Sequence, residues 1–273
     1  MHTYGRRYVT VTFGSLAAAE RHPRSGGRTL PAMTARKLVL IRHGESTANV
    51  AASAAEAAGL EAIAVETRDA DVPLSALGEE QAAALGTRLG DELGGHPEFA
   101  RAWSSPYRRA IQTARLAIGD TTPFTIDERL RDRELGIIDA LTVHGVDVRL
   151  PAEAARRRWL GKFYYRPPGG EAWTDVVLRL RSFVRDLDLE DERPVVVFAH
   201  DAVVSLFIYI FLRYTEEELN EFLVSRVVRN ASVTTLVRDG GGAWSVEAFS
   251  DDRHLEAAGV PITEHPGAAH ASD

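Results

Sequence analysis

The stretch Lys37-Leu38-Val39-Leu40-Ile41-Arg42-His43-Gly44 decides how this chain is read. Residues 37–41 form a short apolar run, the pattern of a parallel strand buried on both faces. Arg42, His43 and Gly44 end it abruptly. A strand that stops in a guanidinium, an imidazole and a glycine puts polar chemistry at the carboxyl edge of a sheet, where open α/β sheets bind ligands. Residues 195–199 form a second, more apolar run, and it too stops in a histidine, His200. A third run, 100–104, is soon followed by Arg108 and Arg109.

Outward from these runs, strand and helix patterns alternate. Residues 47–60 are Ala-rich and helical, 71–75 form a loop with Pro73, and Ser75 is placed to cap a helix over 76–93. Pro106 suits the first turn of a helix reaching Ile118, and 124–126 reads as another strand. Residues 140–165 are polar, Arg-rich and irregular, an insertion over one face of the sheet closed by Pro167-Pro168-Gly169-Gly170. Residues 171–187 set Val176, Val177, Leu180, Phe183 and Val184 on one helical face. A helix over 202–212 follows His200, and strands 232–238 and 244–249 flank Gly240-Gly241-Gly242 as a hairpin. The expected domain, 36–252, is α/β, with an open, mostly parallel sheet, helices on both faces and the Arg-rich insertion (about 140–168) over the active-site edge. Residues 1–35 are expected to be a disordered extension, with Met33 near the functional start, and 253–273 a loose tail.

The 273 residues, 45% of them hydrophobic, suffice for one large domain with a core. A net charge of −7 argues against nucleic-acid binding, although a cleft can still focus a local basic field. The absence of cysteine excludes disulfides, thiolate nucleophiles and thiolate metal sites. The apolar run 202–212 is shorter than the roughly 18 residues of a membrane span. Arg6-Arg7 ahead of 8–19 imitates an export signal only weakly. The expected compartment is the cytoplasm, with no membrane partner.

Two histidines and several arginines at one sheet edge make an anion site, because the planar guanidinium fork matches phosphate oxygens. A neutral imidazole there can attack phosphorus, since neighbouring cations offset the charge that would repel it.

Arg42-His43-Gly44-Glu45-Ser46, with Asn49 three residues on, resembles the signature of the histidine phosphatase superfamily, which includes cofactor-dependent phosphoglycerate mutases. Pro73-Leu74-Ser75-Ala76-Leu77-Gly78 with Gln81 is similar to that family's LTxxGxxQA stretch. Ser105-Pro106-Tyr107-Arg108-Arg109-Ala110-Ile111-Gln112-Thr113-Ala114 resembles SPLxRAxQTA, and the strand ending in His200 is the fourth match. The resemblance implies that His43 is the nucleophile and that Arg42, Arg109 and His200 grip the phosphoryl group. Arg109 is preferred to Arg108 because it directly precedes the Ala-x-Gln-Thr stretch. A homodimer is a further implication.

Two departures matter. The family places a Glu two residues after the leucine of an LxExxxG-like stretch, but Leu130-Arg131-Asp132-Arg133-Glu134-Leu135-Gly136 has Asp132 there. Asp132 is the expected general acid, with Glu134 the alternative; the competing reading pairs both with Arg129, Arg131 and Arg133 on a solvated strip. Asp201 replaces the Gly that many members carry after the histidine, and reads as a helix cap. Arg157-Arg158 ahead of Pro167-Pro168 is loosely similar to the Arg pair with which phosphoglycerate mutases hold the far end of the substrate. Arg157 and Arg158 are thus candidates for a second anionic group, and a solvated basic face is the alternative. Gly169-Gly170-Glu171 resembles the GGES helix entry. Glu171, Ser46 and Asn49 are placed beside the substrate as loop and first-turn supports.

The resulting expectation is a metal-independent phosphomonoesterase that acts on a small phosphorylated metabolite through a phosphohistidine on His43, without a cofactor. Mutase-type phosphoryl transfer and a noncatalytic phosphate- or phosphoprotein-binding module are the alternatives. A metallohydrolase would need clustered ligands such as H-x-x-x-H, and the sequence has none.

Overall fold

The computed structural model describes residues 36–93, 100–189, 191 and 193–265. The expected N-terminal extension and residues 266–273 lie outside the described residues.

The strands are β1 (Arg36–Arg42), β2 (Arg101–Ser104), β3 (Thr125–Ile126), β4 (Val195–Ala199), β5 (Val233–Arg238) and β6 (Trp244–Asp251). They form one sheet in the order β3-β2-β4-β1-β5-β6. The pairs from β3 through β1 are parallel, while β5 runs antiparallel to both β1 and β6. The sheet is therefore mostly parallel, as its apolar runs imply.

Side-chain alternation on β1 and β4 divides the core in two. Leu38, Leu40, Val195 and Val197 pack with residues of α6 (Trp173–Asp186) and α7 (Asp201–Leu212). Val39, Ile41, Val196 and Phe198 pack with α2 (Ala76–Glu92) and α3 (Arg108–Ile118). Burying such side chains stabilises by about 1.5–3 kcal/mol each, so β1 and β4 anchor both layers. Their register aligns Arg42 with Ala199, and β2 aligns Ser104 with Phe198. His43, Ser105 and His200 consequently leave the sheet side by side.

Four local expectations are revised. Residues 140–165 are two helices rather than irregular, α4 (Val143–Arg149) and α5 (Pro151–Tyr164), which follow α1 (Thr47–Ala57) in the helix count. Thr142 caps α4, Pro151 opens α5, and Ile138, Val146, Ala154 and Tyr165 bury a small core of their own. The arginines between these sparse apolar positions hid the helical period. Pro106 lies ahead of Tyr107, the cap residue of α3, rather than inside the helix. Asp201 is the first residue of α7, with His200 at the cap position. After α8 (Glu216–Leu223) and the hairpin, the tail is not loose through 265. It forms α9 (Arg253–Ala258), which buries Leu255, and then a stretch of hydrogen bonds to the body of the domain. Those bonds are polar and main-chain, so hydropathy gives no sign of them.

Candidate active site

The loop after β1 rests directly on the start of α2. A Cβ at Gly44 would lie 2.4 Å from the Gly78 carbonyl oxygen, and one at Gly78 only 1.9 Å from that of Glu45. Both glycines are required by this close approach of two backbones. Side chains of the other motif residues then hold the loop. Thr113 Oγ1 accepts from Gly44 N at 3.1 Å, and Gln81 Oε1 accepts from Glu45 N at 2.9 Å. Ser75 Oγ accepts from Gly78 N and donates to Glu45 Oε1 at 2.7 Å. Each such buried polar partner, once removed, costs about 1–3 kcal/mol.

Arg42, His43, Arg109 and His200 converge in this frame, each no more than 5% exposed. His43 Nδ1 is 2.7 Å from Gly44 O. That acceptor places the proton on Nδ1 and leaves a lone pair on Nε2, to which Arg109 Nε–H donates at 3.2 Å. Burial, then Arg109, His200 and Arg42, hold the His43 pKa well below its ordinary value, so the ring is neutral at physiological pH. Burial and the nearby arginines Arg109, Arg179 and Arg42 do the same to His200. The two imidazole centroids are 5.1 Å apart, and His200 Nε2 lies 2.8 Å from Ser105 Oγ.

Within the pocket, two buried side-chain nitrogens have no protein hydrogen-bond partner. Arg42 gives its Nη1 to Val228 O and its Nη2 to His265 O, leaving Nε alone. His200 Nδ1 is 3.3 Å from Asp132 Oδ2 but makes no hydrogen bond to it. Buried polar groups without a partner are costly and rare, and an anion's oxygens would satisfy both.

The Arg109 fork already carries two carboxylates. Nη1 lies 2.9 Å from Asp69 Oδ1, and Nη2 is 3.2 Å from Asp132 Oδ2. Burial lowers the Arg109 pKa, but Asp69 and Asp132 more than offset it, so the guanidinium stays charged. The two candidate acids are thereby separated. Asp132, 28% exposed, faces Arg109 and His200; Glu134, 49% exposed, accepts from Tyr107 Oη at 3.0 Å and lies near Arg131. Glu171 acts as a brace: its carboxylate takes Arg131 at 2.8 Å and Arg179 at 3.0 Å. Arg179 also donates to the main-chain oxygen of Asp132 at 3.0 Å.

The remaining sequence candidates divide. Ser46 and Asn49 form the capping box of α1, and Asn230 Nδ2 donates to both His43 O (3.2 Å) and Asn49 Oδ1 (3.4 Å). Arg158 is exposed and paired with Asp147 at 2.9 Å. Arg157 instead acts electrostatically on Arg133 and Lys162. Lys162 Nζ sits 4.3 Å from the Trp173 ring centroid, and burial, with Arg133 and Arg157, lowers its pKa to about 8 against the pull of Asp201. Asp69 and Asn230 were not singled out from sequence. Among the described residues no three His, Asp or Glu side chains cluster in a way that could hold a metal ion.

The model of the histidine phosphatase superfamily (branch 1) matches residues 38–252. Glucosyl-3-phosphoglycerate phosphatase of Mycobacterium tuberculosis is 32% identical over 184 residues, which cover 63% of this chain and 74% of that one. The 6-phosphofructo-2-kinase/fructose-2,6-bisphosphatase of Gallus gallus is 30% identical over 187 residues, 68% of this chain but only 35% of that protein's length. Among solved structures, "Mycobacterial hydrolase 1" is 28% identical with a TM-score of 0.62, covering 80% of this chain and 99% of that one. The vanadate (VO3) complex of mycobacterial glucosyl-3-phosphoglycerate phosphatase is 28% identical with a TM-score of 0.60, covering 79% and 98%. No helix among the described residues is long and apolar enough to cross a membrane. The chain belongs to the histidine phosphatase superfamily, branch 1.

Proposed function

We propose that the chain is a metal-independent phosphomonoesterase that works through a phosphohistidine on His43. The observation that carries this reading is the buried, neutral His43, whose Nδ1 is tied to Gly44 O and whose Nε2 lone pair faces the cationic pocket. In the proposed sequence the substrate's phosphoryl oxygens take up Arg42 Nε, His200 Nδ1 and the Arg109 guanidinium. Arg109 Nε then moves off His43 Nε2. Nε2 attacks phosphorus; the Nε2–P bond forms, the bond to the leaving oxygen breaks, and Asp132, having taken up a proton as the substrate enters, passes it to that oxygen. In the second half Asp132 takes a proton from water, whose oxygen attacks phosphorus. The Nε2–P bond breaks and inorganic phosphate leaves. Arg42, Arg109 and the His200 N–H stabilise the added charge at both steps.

The substrate is proposed to be a small metabolite with a second anionic group. The names of two relatives specify such compounds, a bisphosphate and a phosphoglycerate derivative. The residues that would read that group are Lys162, Arg133 and Arg157. Arg158, with a side chain 59% exposed, drops out of the proposal.

Turnover of p-nitrophenyl phosphate in EDTA, with radiolabelled phosphate trapped on His43 and both lost in His43→Ala, is the expected result. Activity that EDTA abolishes, or that survives His43→Ala, sinks the reading. Phosphate binding without turnover would point to the noncatalytic alternative.

A further inference from the structure

The last described residues, 261–265, touch the machinery of the pocket from behind. Arg42 Nη2 donates to the main-chain oxygen of His265 at 2.8 Å, beside the Nη1 bond to Val228 O. Two carbonyls on two nitrogens fix the plane of a guanidinium, so the remaining Nε edge has a single direction. That edge is the unpartnered one.

The His265 carbonyl is itself held in place. Its ring nitrogens reach Glu45 Oε2 at 3.1 Å and Ser53 Oγ at 2.5 Å, which ties the residue to the His43 loop and to α1. Upstream, Gln81 Nε2 donates to Pro261 O at 2.9 Å and to Thr263 Oγ1 at 3.0 Å, while its Oε1 holds Glu45 N. Thr263 O accepts from Asn230 N at 3.2 Å, and the Asn230 side chain donates to His43 O. Glu264 pairs with Arg229 at 2.6 Å. The segment thus binds the same residues that hold Arg42 and the His43 loop.

We infer that residues 261–265 are a strap that positions Arg42 for the phosphoryl group, with His265 as its positioning residue. This rests on the reading above only in taking Arg42 as a phosphate ligand. Fixing the guanidinium before the anion arrives removes an ordering cost from binding. A lid would act on the leaving group. The strap acts on the phosphoryl group alone, so its loss weakens every phosphoester by the same factor.

Inorganic phosphate binding, measured by calorimetry on the full chain, tests this without requiring turnover. His265→Ala frees the carbonyl by removing both ring contacts, and about tenfold weaker phosphate binding is expected. The KM for p-nitrophenyl phosphate and for a bulky naphthyl ester should rise by that same factor. His265→Gln, which keeps a donor for Glu45, should recover most of the affinity. Should His265→Ala fold poorly, the milder Ser53→Ala and Thr263→Val are each expected to weaken phosphate binding severalfold. Unchanged phosphate affinity in the folded variants, even with a lowered melting temperature, overturns the strap, as does an effect confined to the bulky ester. A wild-type chain that binds phosphate but hydrolyses nothing defeats the phosphatase reading and leaves the strap standing. One that binds no phosphate defeats both.

Discussion

The pocket around His43 and the basic rim around Lys162 are built in opposite ways. Arg42, His43, Arg109 and His200 sit on strand ends and the first turn of α3, almost fully buried, with their loop fixed by Gln81, Thr113 and the paired backbones at Gly44 and Gly78. Lys162 and Arg157 ride on α5, which with α4 buries a small core of its own around Ile138, Val146, Ala154 and Tyr165. The first region cannot change without disturbing the sheet. The second can be rebuilt while the sheet stays as it is. On the proposed function, phosphoryl chemistry is a property of the fold's edge, and substrate choice would belong to an attached layer.

The largest expected effect tests where the boundary between these regions falls. Asp132 faces Arg109 and His200, while Glu134 accepts from Tyr107 Oη. Asp132→Asn should lower kcat/KM, which reports the phosphorylation half-reaction, by about 10²–10⁴-fold on an alkyl phosphate, the usual worth of a general acid, and much less on p-nitrophenyl phosphate, whose leaving group needs no proton. Glu134→Gln should stay near wild type on both. Steady-state kinetics with the two esters decide it. A larger loss in Glu134→Gln would make Glu134 the general acid.

The next effect concerns stability, and two glycines of one helix serve as probe and control. Gly78→Ala drives a methyl into Glu45 O and should destabilise by about 1–3 kcal/mol or more, with turnover falling as the His43 loop shifts. Gly90 has open space around its would-be Cβ, and Gly90→Ala should stabilise by about 0.5–1 kcal/mol through helix propensity alone. Urea unfolding gives both numbers. Equal effects would mean that the pocket loop does not bear on α2 as described.

The same division explains what could be read from sequence. The apolar runs of β1 and β4, each stopping in a histidine, announced the sheet and the imidazoles, and Arg109 was placed by its motif. The capping roles of Ser46 and Asn49 needed the third dimension. Less visible still were the carbonyls of Val228 and His265 that hold Arg42, because any residue type supplies a carbonyl. Asp69 escaped for a related reason: a carboxylate in a polar turn looks solvated until its partner, 40 positions away, is located. In α4 and α5 the helical period was present in Val143 and Val146 and in Ala154, Leu160 and Phe163, but the interleaved charges read as loop.

The smallest expected effect isolates the rim. Lys162→Met removes the ammonium while keeping a stem against Trp173. The KM for a phosphomonoester with a second anionic group should rise about tenfold, the equivalent of one modest charge-assisted hydrogen bond. For p-nitrophenyl phosphate it should not change, and Arg158→Met should leave both values alone. pH gives a second, independent handle. The Lys162 pKa is lowered to about 8. Below that pH the side chain is charged and attracts the second anion; as pH rises through it the proton is lost and the KM of the wild type climbs. Lys162→Met has no proton to lose there, so its KM should be flat from pH 7 to about 9, subject only to titrations shared with p-nitrophenyl phosphate. A wild-type profile identical to that of Lys162→Met would remove Lys162 from substrate recognition and make the rim a solvated basic face, with the choice of substrate residing elsewhere.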